Sequence, residues 1–173
     1  MSTKQLLQLA LLTALALCLQ LLERSLELPL LFPGFKLGLA NIVSLYLLIV
    51  VGLLPALGVT LLRVCLSSLL SGTLFAPGFF LAIAGGISAC WLMYVAQSQN
   101  YFRFSYYGIS IIGATSHNLA QLSVASYLLS TNFVYYYLPY MLVISVPTGL
   151  LTGLLLSRLL RQLPLACQHQ SSN

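Results

Sequence analysis

Residues 56–70 read ALGVTLLRVCLSSLL, an apolar segment carrying one charge, Arg63, near its middle. The rest of the chain says which solvent surrounds it. Of 173 residues, 60% are hydrophobic and 5% charged, with seven Lys+Arg against two Asp+Glu, and the mean hydropathy is +0.98. A soluble domain is about one-quarter charged, so this inventory cannot furnish a surface that faces water. The chain is read as an all-α integral membrane protein. At the centre of a spanning helix an arginine costs about 2.5–3.5 kcal/mol on insertion scales, and it normally faces the bundle interior or a wet cavity. Two readings of Arg63 follow. It snorkels or pairs structurally, with Glu23 or Glu27 as partner, or it meets an anionic or polar ligand.

A span needs about 20 apolar residues, which at this length gives one domain of about six helices. The runs lie at about 5–22, 36–54, 56–70, 79–97, 107–129 and 133–160. The first is longer than a signal-peptide core, and Ala14-Leu15-Ala16 lies inside it rather than after it, so a retained helix is expected. Residues 27–35, ELPLLFPGF, carry two prolines and cannot form a regular helix. They are expected to lie at the interface or to cap a cavity. Pro55 marks a tight turn, Gly72 and Pro77-Gly78 a break, and residues 98–103 the most polar connection. Pro139 and Pro147 are expected to kink the last helix. The domain is placed at residues 1–163, with a short polar tail at 164–173.

Six spans put both termini on one side together with Lys4, Arg103, Arg158 and Arg161. Arg24 and Lys36 fall on the other, offset by Glu23 and Glu27. Counting basic residues places both termini in the cytoplasm of a multi-pass protein of the inner or plasma membrane. The chain contains no aspartate, which argues against Walker-type ATPases, aspartic proteases and aspartate-rich magnesium diphosphate sites. Cys18, Cys65, Cys90 and Cys167 form no CxxC, so neither a disulfide framework nor a zinc site is suggested. No catalytic residue, metal or cofactor is expected. The basic residues form no run, so the expected partner is the lipid bilayer and not nucleic acid.

Residues 113–121 read GATSHNLAQ. His117 and Gln121 are four apart and share a helix face. Asn118 lies about 100° round, and Gly113 and Ala114 leave room for another backbone. Lys36 and Asn41 can line one entrance. With Arg63 these residues describe a pocket opening outward beneath the proline-broken loop: Lys36, Asn41, Arg63, His117, Asn118 and Gln121. Each also has a structural reading. Lys36 suits an interfacial anchor, and the three residues of the fifth helix suit interhelical hydrogen bonds, which average about 0.6 kcal/mol in membranes. Small residues recur at Ala10 and Ala14, at Ala82, Gly86 and Cys90, and at Ser145, Gly149, Gly153 and Ser157. They mark helix seams within the chain or, on the first helix above all, a docking face for another subunit. Tyr135, Tyr136, Tyr137 and Tyr140 read as an interfacial belt.

Residues 33–41, PGFKLGLAN, resemble the PG-x-KLGLAN signature of the Gx transporter family, often labelled heptaprenyl diphosphate synthase component I. Gly113-Ala114, His117-Asn118 and Gln121 match its second signature, GA-x-x-HN-x-x-Q. Arg63 stands where that family has an arginine, and Gly85-Gly86 with Ser88 resembles its fourth-helix glycine pattern. The resemblance covers about residues 5–161. It implies six membrane helices similar to the substrate-binding (S) components of energy-coupling-factor transporters, with cytoplasmic termini and a ligand near the outer face. It also implies that Ala10 and Ala14 contact a coupling transmembrane subunit, with energy from separate ATP-binding subunits. The expected substrate is a small molecule with an acidic or phosphate group on an apolar body: vitamin-like, flavin-like or an isoprenoid-quinone precursor. The alternative is a non-catalytic membrane subunit of heptaprenyl diphosphate or isoprenoid synthesis, or of a membrane redox complex.

Overall fold

The computed structural model describes residues 3–25, 38–99 and 104–162, and over these the chain is α-helical. The helices are α1 (Thr3–Ser25), α2 (Leu39–Val50), α3 (Leu53–Leu70), α4 (Pro77–Ser98), α5 (Tyr106–Leu129) and α6 (Leu138–Gln162), with a 3-10 turn at Asn132–Tyr137 before α6. Helices suit this composition because each closes its backbone hydrogen bonds within itself, leaving no polar groups to be satisfied by lipid. Among the described residues, four spans, Gln5–Glu23, Leu53–Leu70, Pro77–Ser98 and Asn132–Arg161, are long and apolar enough to cross a membrane. This is compatible with a multi-pass membrane protein. α5 is 24 residues long but carries the polar stretch 115–121. α2 has only 12 residues.

The short α2 differs from the expected helix over residues 36–54. Twelve residues rise about 18 Å, well short of the ~30 Å hydrocarbon thickness. The turn that ends it lies at Val51-Gly52, ahead of Pro55. Gly52 has φ 117°, a conformation open to glycine because it lacks a Cβ. Pro55 sits in the first turn of α3, where a missing N–H breaks no intrahelical bond. Pro139 likewise falls in the first turn of α6, while Pro147 lies inside that helix.

Local side chains set the other ends. Pro77 opens α4, and the Ser105 hydroxyl accepts from the Gly108 N–H at 3.3 Å to cap α5. Thr131 Oγ1 accepts from the Phe133 N–H at 3.4 Å where the 3-10 turn begins.

The core joins Ala16 of α1, Leu45, Leu47 and Leu48 of α2, Ala56 of α3, Cys90 of α4 and Leu156 of α6. Two of the small-residue stripes lie in seams inside the chain. A Cβ on Gly86 would stand 2.7 Å from Thr60 Cγ2, bringing α4 against α3. Cβ atoms on Gly149 and Gly153 would stand 2.6 Å from Ile111 Cα and 2.9 Å from Tyr107 Cα, so α6 rests on the backbone of α5. Ser145 and Ser157, at the ends of the same stripe, bond across this seam to Asn118 (2.8 Å) and Tyr107 (3.4 Å). Ala10 and Ala14 of α1 are exposed instead, beside the exposed Leu7, Leu11, Leu15 and Leu22.

Candidate functional site

Arg63 projects into the bundle and is 5% exposed. Its Nη1 donates to Gln20 Oε1 of α1 at 3.2 Å and its Nη2 to Asn41 Oδ1 of α2 at 3.0 Å. A guanidinium has five N–H donors, so these two bonds leave three uncommitted, and Nε–H has no hydrogen-bond partner among the described residues. Both acceptors are neutral amides. Among the described residues no hydrogen bond joins Arg63 to a glutamate, although Glu23 is near enough to interact with it electrostatically. Glu23 Oε1 accepts instead from the Gly38 backbone N–H at 2.6 Å. Glu27 lies outside the described residues.

Gly38 immediately precedes α2, with φ 74°. Because α2 is short, its N-terminal end meets the middle of α3, and Asn41 in its first turn reaches Arg63. Burying a helix end in hydrocarbon requires acceptors for its first N–H groups. Glu23 supplies one of them from α1.

His117 is placed by glycine on the facing helix. A Cβ at Gly85 would lie 2.7–2.8 Å from three atoms of the imidazole, so the ring rests on the α4 backbone. Ser88 fixes that contact by donating to the carbonyl of Gly85 at 3.0 Å or of Ser116 at 3.1 Å. The room at Gly113 is filled by the side chain of Met93, whose Sδ would stand 2.5 Å from an added Cβ. This corrects the expectation that a backbone approaches there. Asn118 turns its amide nitrogen to α6, donating to Ser145 Oγ at 2.8 Å and to the Met141 carbonyl at 3.3 Å. That is the interhelical role weighed for it, although Asn118 also borders the cavity described next.

A cavity of about 190 Å³ lies at the centre, bordered by all six helices. α1 contributes Gln20 and Glu23, α2 Asn41, α3 Arg63, and α5 His117, Asn118 and Gln121; α4 adds Gly78 and Ala82, and α6 Thr148 and Thr152. Five of the six pocket candidates therefore meet at one void. The sixth, Lys36, lies outside the described residues, as do residues 27–35, Arg103 and the tail at 164–173. Gln20, Thr148 and Thr152 were not singled out from sequence. Gln20 had a legible signal, a polar side chain one turn before Glu23 near the end of an apolar helix. The threonine hydroxyls bond back to carbonyls of their own helix at 2.9 Å. The cavity is smaller than the ~300–1,000 Å³ usual for ligand sites. It suits a compact molecule or one end of a longer one.

A second, open hollow lies at residues 130–136, where Phe133 and Tyr136 stack with centroids 6.0 Å apart. Tyr136 is 80% exposed, as a residue of an interfacial belt is.

A family model described as heptaprenyl diphosphate synthase component I matches residues 12–159. No curated protein and no solved structure matches the chain. The description raises the question of magnesium diphosphate, for which magnesium needs oxygen ligands, usually carboxylates, alongside the phosphates. Aspartate is absent from the chain, and the one described carboxylate, Glu23, holds the Gly38 N–H. Among the described residues, no group of three or more His, Cys, Asp or Glu could hold a metal ion. This donor set does not fit a metal-diphosphate centre.

Proposed function

The chain belongs to the heptaprenyl diphosphate synthase component I family, and on that premise we propose that it is the substrate-binding membrane component of a small-molecule uptake transporter. One observation carries the reading. Among the described residues, a buried guanidinium that donates only to two neutral amides, with three N–H donors uncommitted, borders a polar cavity. Keeping such a group in hydrocarbon is costly, and an anionic or strongly hydrogen-bonding ligand offsets that cost. Asn41, His117 and Gln121 orient the ligand, and Lys36 guards the entrance. α5 and the short α2, accommodated by local thinning of the bilayer, complete six spans, with both termini cytoplasmic and the cavity entered from outside. Energy comes from separate ATP-binding subunits through a coupling membrane subunit that docks on Ala10 and Ala14. The exposure of this face supports that assignment.

The family description favours a second reading, a non-catalytic membrane partner of a prenyl diphosphate synthase. Mass spectrometry of small molecules released from the gently purified protein separates the two. A transport component yields one stoichiometric compound and co-purifies with a coupling subunit and ATPases. Recovery of a soluble prenyl synthase with no bound compound would establish the second reading.

A further inference from the structure

The cavity already contains one anion of the protein's own. Glu23 is 8% exposed, borders the cavity with Arg63, and accepts the Gly38 N–H at 2.6 Å. That N–H belongs to the N-terminal end of α2, where a helix carries about half a positive charge. No side chain of α2's own first turn caps it. The cap therefore comes from another helix, at a point where two positive features face one void: the end of α2 and the guanidinium with three open donors. Building on the uptake reading, we infer that the cavity takes a small organic carboxylate and that Glu23 holds the carboxylate position at the α2 end until that ligand arrives.

The chemistry selects a carboxylate in three ways. Glu23 demonstrates that a planar carboxylate meets the Gly38 N–H in this site. An arginine presents paired N–H groups that match both oxygens of a second carboxylate. Once Glu23 is displaced, one guanidinium plus a helix end balances a single negative charge better than a dianionic phosphate, and the cavity volume limits the attached body to a compact group. Glu23 stands two residues before the end of α1 at Ser25, so its displacement disturbs no further turn of that helix.

The test uses benzoate as the probe on the full-length protein in detergent, with the thermal unfolding midpoint as readout, since a ligand that binds only the folded form raises it. Glu23→Gln keeps an oxygen for the Gly38 N–H but removes the competing charge. It should lower the benzoate concentration needed for half the effect at least tenfold. Neutral benzamide should gain nothing from the same change, and Arg63→Met should abolish the benzoate response in either background. Glu23→Ala, measured identically, serves if the glutamine variant does not assemble. Equal or weaker benzoate binding by the Glu23 variants, or an equal gain for benzamide, overturns the inference. If Arg63→Met still abolishes binding in that case, the uptake reading stands without the placeholder. If the wild type retains no compound and no variant binds benzoate, both fall.

Discussion

Arg63 and Gly85 carry the site by opposite means, one through charge and the other through the absence of a side chain. Arg63→Ala removes the guanidinium and leaves Gln20 and Asn41 as neutral amides able to bond to each other or to water. Ligand retention should fall at least tenfold, with assembly of the helices preserved, as checked by bound compound per protein and by size-exclusion chromatography. Parallel loss of both would make the arginine a structural tie. At Gly85 even a methyl group meets the His117 ring at 2.7–2.8 Å. Gly85→Ala should displace the imidazole and lower ligand retention, with about 1–3 kcal/mol lost to overpacking, read from thermal unfolding. Arg63 was legible because a charge in an apolar run is conspicuous. The role of Gly85 as a seat for His117 was not, since nothing local ties residue 85 to residue 117.

At the level of elements, α6 lies on α5 through glycines, while at Gly113 α5 meets α4 through a flexible side chain. Gly149→Ala brings a Cβ to 2.6 Å from the Ile111 backbone, whereas Gly113→Ala meets Met93 Sδ and Cγ. A helix backbone cannot yield without moving the whole helix, but a thioether can rotate. Gly149→Ala should therefore lower the unfolding temperature clearly more than Gly113→Ala, and equal losses would contradict this account of the two seams. The exposed face of α1 behaves differently because no described helix covers it. Ala14→Trp should leave the isolated protein's stability within about 0.5 kcal/mol, as a surface substitution does, while reducing recovery of a coupling subunit in pull-downs. A reversed pattern would place the face in an internal contact. The stripes were legible as stripes, yet their use inside or outside the chain was not, because glycine spacing does not identify a partner.

Considering the whole molecule, the cavity lies where the short α2 begins against its neighbours. Its N-terminal end meets the middle of α3, and Arg63, Gln20 and Asn41 converge there instead of packing apolar side chains. Lengthening α2 cannot be read as a local change, since Gly38 stands 3.6 Å from Thr152 Oγ1 of α6, measured from an added Cβ. Gly38→Leu should shrink the cavity and strain the positive φ together. The expected outcome is loss of bound compound with reduced thermal stability, and unchanged occupancy would show that the ligand lies elsewhere.

Composition alone argued for lipid as this chain's surroundings, since a polymer with so few charges has little with which to face water. The length of its apolar runs argued that it is helical, because only closed backbone hydrogen bonding survives in hydrocarbon. Pairings across the bundle were left to the tertiary structure: amides in place of a glutamate at Arg63, Glu23 at the head of α2, and Gly85 beneath His117. Each joins residues 15 to 43 or so positions apart, and such distances are set by how helices pack, which no local pattern of residues encodes.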